Sequence, residues 1–155
     1  MQKVEFRSNG LTIRCTLVLP EGSNKPIPAV MTFHGMTSSE TGYIPLASAL
    51  SARGIAGLTV NMRGHGNSEG DFKTATVSEA VNDALAAYDF LTSQPGIDRN
   101  RIGVVGSSVG AILAALATER RSIASLVLRA PAAYTEQMMK ISMAETMINE
   151  DRQFH

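Results

Sequence analysis

The sequence predicts an α/β fold, a mostly parallel sheet with helices on both faces and an antiparallel hairpin in front, on three observations. From Pro28 onward, short apolar runs alternate with segments of helical spacing, the pattern of repeated strand–helix units. Glycine-containing loops follow three of those runs, at His34-Gly35, at 63–70 and at 106–110, where a parallel sheet delivers the carboxyl ends of its strands to a ligand site. Before Pro28 the pattern differs: KVEFR and LTIRCTLVLP flank Ser8-Asn9-Gly10, a turn signal between two strands.

Each later element has its own reason. Residues 21–26 are rich in turn formers and read as a loop, after which Pro28–Phe33 is a short apolar run that stops at His34-Gly35, as a buried strand does. Ile44, Leu46, Ala47, Ala49 and Leu50 suit a helix over Ile44–Arg53, with Gly54 in the usual position of a C-terminal cap. Ile55–Val60 reads as a strand entering the loop Asn61–Gly70. Val81, Ala84, Leu85, Tyr88 and Leu91 recur at spacings of three and four, one face of a helix over Val77–Leu91 with Thr76 or Ser78 as its cap. Pro95-Gly96 breaks that helix. A strand over Ile102–Val105, an alanine-rich helix over Val109–Thr118, a strand over Ile123–Leu128 and a methionine-rich helix over Thr135–Asn149 complete a single domain spanning 1–155.

Bulk composition excludes several function classes. With 44% hydrophobic and 18% charged residues, the 155-residue chain has the make-up of a globular domain with a core. Lys and Arg number 14 against 14 Asp and Glu, and no block of one sign occurs, so no footprint for nucleic acid or an anionic membrane exists. The start MQKVEFRSNG lacks the apolar stretch of a signal peptide, and AILAALA at 111–117 is far short of a membrane span, which makes the cytoplasm the expected location. Cys15 lies in an alternating strand with no histidine near it in sequence and reads as a small core residue. Three histidines without a CxxC or HExxH pattern predict neither a metal site nor a cofactor.

Chemistry concentrates in Gly106-Ser107-Ser108-Val109-Gly110, which fits GxSxG between a strand and a helix. A nucleophile elbow needs that context, because the serine must project from a sharp turn and the glycines must let neighbouring backbone approach. Ser108 holds the middle position and is the candidate nucleophile; Ser107 is expected to point into neighbouring structure. The helix starting after Ser108 aims unpaired N–H groups at a developing oxyanion, so Val109 N–H is one candidate donor, and Met36 N–H, in the loop after His34-Gly35, is the second. On residues alone the motif also suits a plain tight turn or a phosphate cradle at a helix N-terminus.

PAVMTFHGMTSS, GIAGLTVNMRGHGNSEG and IDRNRIGVVGSSVGAILAA together resemble the oxyanion strand and loop, the RGHGxS loop and the nucleophile elbow of the α/β-hydrolase superfamily. HGMTSS, DFKTATVSEAVNDALAAYDFL and LVLRAPAA are most similar to small carboxylesterases of the cinnamoyl and feruloyl esterase type, with dienelactone-hydrolase-like and acylaminopeptidase-like branches next. The elbow departs from the GHSxGG of such esterases, with Ser107 for the histidine and Ala111 for the second glycine. The resemblance implies a serine hydrolase acting on a small-molecule ester, with Ser108 as nucleophile, Met36 and Val109 as the oxyanion hole, and His34, Gly35 and His65 lining the site. It also implies an acid and a histidine after two further strands, which places this chain as the N-terminal part of the fold, lacking the last strands.

Within the chain, His34 reads as a shaper of its loop, His65 as part of a structural turn, and His155 as a mobile chain end. Glu136 is the carboxylate nearest the place where some relatives carry the acid, while Glu69 and Asp71 read as solvated loop charges. A sixth strand left at a sheet edge, and a last helix with Met138, Met139, Ile141, Met143, Met147 and Ile148 partly exposed, predict self-association.

Overall fold

The hairpin forms as its turn demands. The structure, a computed structural model, describes residues 1–22 and 26–153; His155 and part of the loop at 21–26 lie outside them. β1 (Gln2–Ser8) and β2 (Leu11–Val18) pair antiparallel, with Ser8 opposite Leu11, and the two turn residues Asn9 and Gly10 both adopt positive φ, at 46° and 85°. That is the backbone a two-residue hairpin loop with the twist of its strands requires.

Four more strands extend the sheet: β3 (Ile27–Phe33), β4 (Ala56–Val60), β5 (Ile97–Ser107) and β6 (Ser125–Arg129). Their order is β1-β2-β4-β3-β5-β6, with β2 antiparallel to β4 and the remaining neighbours parallel. The helices are α1 (Ile44–Ser51), α2 (Val77–Ser93), α3 (Val109–Thr118) and α4 (Met143–Gln153). Among the described residues no helix is long and apolar enough to cross a membrane. The central strands β3 and β4 carry the core, where Ala29, Met31, Phe33, Leu58 and Val60 are fully buried. Cys15 is buried in the same layer, and burial pushes its thiol far above the usual range, so it is an inert core residue.

Several elements differ from the sequence expectation, β6 running over Ser125–Arg129 instead of Ile123–Leu128 and α1 ending at Ser51 instead of Arg53. β5 begins at Ile97 instead of Ile102, because Ile27 pairs with Ile97 before a register irregularity brings Ala29 opposite Ile102. A 3-10 turn over Glu40–Tyr43 precedes α1. The last helix starts at Met143, not Thr135. Ser142 and Glu145 form reciprocal cap bonds, Oγ accepting Glu145 N–H at 3.2 Å and Oε2 accepting Ser142 N–H at 3.1 Å, and they outcompete helix continuation from the 135–140 turn. The Met143 amide also donates to Ala75 O at 2.7 Å, and its side chain is fully buried, so this residue is tied down while Ile148 on the same helix is 52% exposed. Thr76 caps α2 as expected, with a capping box to Glu79.

β6 lies at one edge of the sheet, and Leu126, Val127 and Leu128 are all exposed there.

Candidate functional site

Backbone geometry singles out Ser108. It joins β5 to α3 with φ 54° and ψ −123°, a conformation an L-residue adopts only under constraint. The constraint comes from the two flanking glycines, neither of which has positive φ. A Cβ on Gly106 would sit 2.2 Å from Gly110 O, and one on Gly110 would sit 2.3 Å from Phe33 O and 2.5 Å from His34 O. The first turn of α3 is thus pressed against β5 and the end of β3, and the strain falls on the serine between the glycines. Ser108 N–H donates to Arg129 O at 3.1 Å, which fastens the turn to β6. Among the described residues the Ser108 hydroxyl has no hydrogen-bond partner, and it is half-buried. Ser107 does not point into packed structure: its Oγ accepts from Arg129 Nε at 3.3 Å on a half-exposed face.

The loop after β3 comes up against this turn, since a Cβ on Gly35 would lie 3.5 Å from Ser108 Cβ. His34 organises that loop. Its ring is fully buried, with Nδ1–H donating to Gly35 O at 2.7 Å and Nε2 accepting Met62 N–H at 3.2 Å. The Met62 amide has only a proton to offer, so the tautomer follows, and burial lowers the His34 pKa to about 4. Gly35 O also accepts Ser38 N–H at 3.0 Å. Gly35 O and Met36 N–H belong to one trans peptide and point in opposite directions, so anchoring the carbonyl aims the amide. The Met36 N–H is unused within the described residues, and so is the Val109 N–H at the start of α3, whereas Ala111 N–H already donates to Ser108 O at 2.9 Å.

His65 crosses from the loop after β4. Nε2 lies 2.6 Å from the Met36 carbonyl and Nδ1 3.0 Å from Arg63 O; both oxygens are acceptors and a neutral ring carries one proton, which the shorter contact assigns to Nε2, and the ring packs on His34 with centroids 4.9 Å apart. Every ring nitrogen of the two histidines therefore faces a backbone group. Neither is a free base for Ser108, and His155 lies outside the described residues. Among the carboxylates considered, Glu136 is exposed and paired with Lys140 at 2.6 Å, Glu69 accepts Thr12 N–H at 2.8 Å, and Asp71 accepts Lys73 N–H at 2.9 Å.

A buried ion pair went unread in the sequence. Arg63, 4% exposed, makes a bidentate contact to Asp83, 1% exposed, with Nε–Oδ2 2.8 Å and Nη2–Oδ1 2.7 Å; Arg63 N–H donates to Oδ2 as well. Asp83 bonding holds the guanidinium still more firmly protonated. The available signal was Asp83 itself, a carboxylate among Ala80, Ala84 and Ala87 on the buried face of α2, where a charge needs a partner. The pair pins the RGHG loop to the helix. A cavity of about 340 Å³ bordered by Ser78, Asn82, Glu119 and Arg120 opens at the end of α3 opposite Ser108 and is separate from these loops.

A parallel-rich six-stranded sheet with a strained serine at the strand–helix turn and glycine loops at its carboxyl edge defines an α/β-hydrolase fold. More closely, the chain belongs to the family described as serine aminopeptidase, S33, whose pattern matches residues 24–150. It is 35% identical over 127 residues to the polyketide transferase claH of Penicillium crustosum, covering 78% of this chain and 41% of that protein. It is 34% identical over 150 residues to the thiohydrolase aneE of Aspergillus aculeatus, covering 92% of this chain and 46% of that one. The chain thus spans less than half the length of these relatives. Among solved structures, Est1E of Butyrivibrio proteoclasticus with ferulic acid bound superimposes with a TM-score of 0.75 at 23% identity, over 97% of this chain and 56% of that one, a likeness of fold.

Proposed function

We propose that Ser108 is the nucleophile of an acyl hydrolase that cleaves small-molecule carboxylic esters through an acyl-enzyme. The observation that carries this reading is the strained backbone of Ser108, since a turn with φ 54° at a non-glycine residue persists only where the surroundings hold it. In the reaction, Ser108 Oγ attacks the substrate carbonyl as its proton passes to a base, and negative charge develops on the carbonyl oxygen. Met36 N–H and Val109 N–H are the donors assigned to that oxygen. Collapse expels the alcohol and leaves the acyl group on Ser108, and water then releases the acid. His34 and His65 are committed to backbone partners, so the base is neither of them. Peptide or thioester cleavage, in keeping with the family description and the thiohydrolase relative, uses the same steps with another leaving group.

A fluorophosphonate probe tests the reading. Labelling of the wild-type chain well above the rate of free serine, lost in Ser108→Ala, is expected. Failure to label in this chain with labelling restored in a longer one puts the base outside these 155 residues, failure in both favours a non-catalytic domain of this fold, and a panel of p-nitrophenyl esters, thioesters and aminoacyl amides ranks the leaving groups.

We also propose that two copies of the chain associate through β6. Its outer edge is unpaired among the described residues, with Leu126, Val127 and Leu128 at 39%, 54% and 41% exposure, and two identical edges related by a twofold axis pair antiparallel into one continuous sheet. Sedimentation should show a dimer that Val127→Lys converts to monomer; a monomeric wild type refutes the pairing.

A further inference from the structure

The loop after β3 is held at two successive peptides by two different histidines. His34, from the same loop, anchors the Gly35 carbonyl at 2.7 Å. His65, from the loop after β4, reaches across to the next carbonyl, that of Met36, at 2.6 Å. A residue fixed at the carbonyl before it and the carbonyl after it has both of its backbone torsions constrained. Met36 is in that position.

We propose that His65 is a positioning residue for the Met36 amide: its Nε2–H, by holding the Met36 carbonyl, sets the torsions that aim Met36 N–H at the space beside Ser108. The proposal rests on the assignment of Met36 as an oxyanion donor. The support for His65 is itself built. The ring is 8% exposed, packs on His34 at an interplanar angle of 60°, and meets Phe72 edge-on with centroids 5.2 Å apart. The backbone carrying it turns through Gly64 and Gly66, both at positive φ, and a Cβ on Gly66 would sit 2.6 Å from the Asn61 side chain. Asn61 Oδ1 in turn accepts Glu40 N–H at 2.9 Å, so the segment following Met36 is tied to the same strand end. Arg63–Asp83 anchors the base of the loop to α2. The loop after β4 thereby acts as a brace, and His65 is the one side chain of that brace bonded to Met36.

Two amide substitutions separate this role from a general structural one. Gln carries its N–H₂ at roughly the place of Nε2 and can reach Met36 O; Asn carries it nearer Nδ1 and can reach Arg63 O only. His65→Phe keeps the ring and loses the Nε2–H bond to Met36 O. Hydrogen exchange of the Ser38 amide, which closes the turn onto Gly35 O, reads the loop directly in the 155-residue chain. Expected is faster exchange in His65→Phe and His65→Asn, by about tenfold, with His65→Gln close to wild type. Fluorophosphonate labelling of Ser108 should fall by about 10- to 100-fold in the same two variants, in the maximal rate and not in probe affinity, and recover in His65→Gln. Equal exchange in the Gln and Asn variants overturns the proposal, and that comparison still decides if His65→Phe fails to fold. If Ser108 labels neither in this chain nor in a longer one, the acyl-hydrolase reading fails, while the exchange result separately decides whether His65 positions the loop.

Discussion

His34 makes folding stability depend on pH in a window that few other groups share. In the folded chain the imidazole is fully buried, and Met62 N–H occupies its one lone pair, so protonation at Nε2 sets one N–H against another and brings charge into the interior. Burial is the largest cause of its lowered pKa and the neighbouring His65 adds to it, while the Gly35 carbonyl and Glu40 act in the opposite direction; the result is about 4, against 6.5 in the unfolded chain. Between those values the unfolded chain takes up a proton that the folded chain refuses, so stability is complete above 6.5 and falls as pH drops toward 4. At about 1.4 kcal/mol per pH unit, the full contribution is about 3 kcal/mol, of which about 2 kcal/mol is lost between pH 7 and 4.5. For a domain of this size that is a fall in Tm of about 4–8 °C. Urea or thermal unfolding at pH 7, 6, 5 and 4.5, on wild type and on the non-titrating His34→Gln, measures it. The carboxyls with lowered pKa, Glu69, Glu79 and Asp98, start from 4.5, 4.5 and 3.8, so their contribution begins to fall only at the acid end of this range and does so equally in both proteins. Wild type should lose about 2 kcal/mol more than the variant across the range; parallel pH profiles refute the assignment of His34 as a buried, neutral acceptor.

Two further outcomes follow from contacts at the same sheet edge. Asp83→Ala leaves the buried Arg63 guanidinium with only the half-exposed Glu79 carboxylate, 3.3 Å away, and should lower unfolding free energy by about 3 kcal/mol, whereas Arg63→Met combined with Asp83→Leu should recover much of that loss, both read from urea midpoints. Gly110→Ala forces a Cβ against two backbone carbonyls, Phe33 O and His34 O, that have no rotamer to yield, so a loss of about 3 kcal/mol or an insoluble product is expected; Gly42→Ala, whose nearest neighbour would be 3.8 Å away, should stay within about 0.5 kcal/mol of wild type in the same assay.

What could be read before the structure was whatever is encoded locally. Asn9-Gly10 dictates its hairpin through φ alone, Thr76 and Glu79 form their capping box three residues apart, and the strand–GxSxG–helix context needs only adjacent segments. What escaped depended on distant partners. The first half of β5 exists because Ile27 pairs with Ile97, and the last helix starts late because Met143 donates to Ala75, 68 positions earlier in the chain. The site divides the same way. Every ring nitrogen of His34 and His65 faces a backbone amide or carbonyl, a group that no motif can display. The elbow shows the consequence most directly. Read as sequence, its glycines suggest a sharp turn that neighbouring backbone approaches; in the fold neither glycine has positive φ, Cβ atoms there would strike Gly110 O and Phe33 O, and the strained conformation belongs to Ser108. A motif of that kind records a collision between three segments, and the residue it leaves under strain is the one available for chemistry.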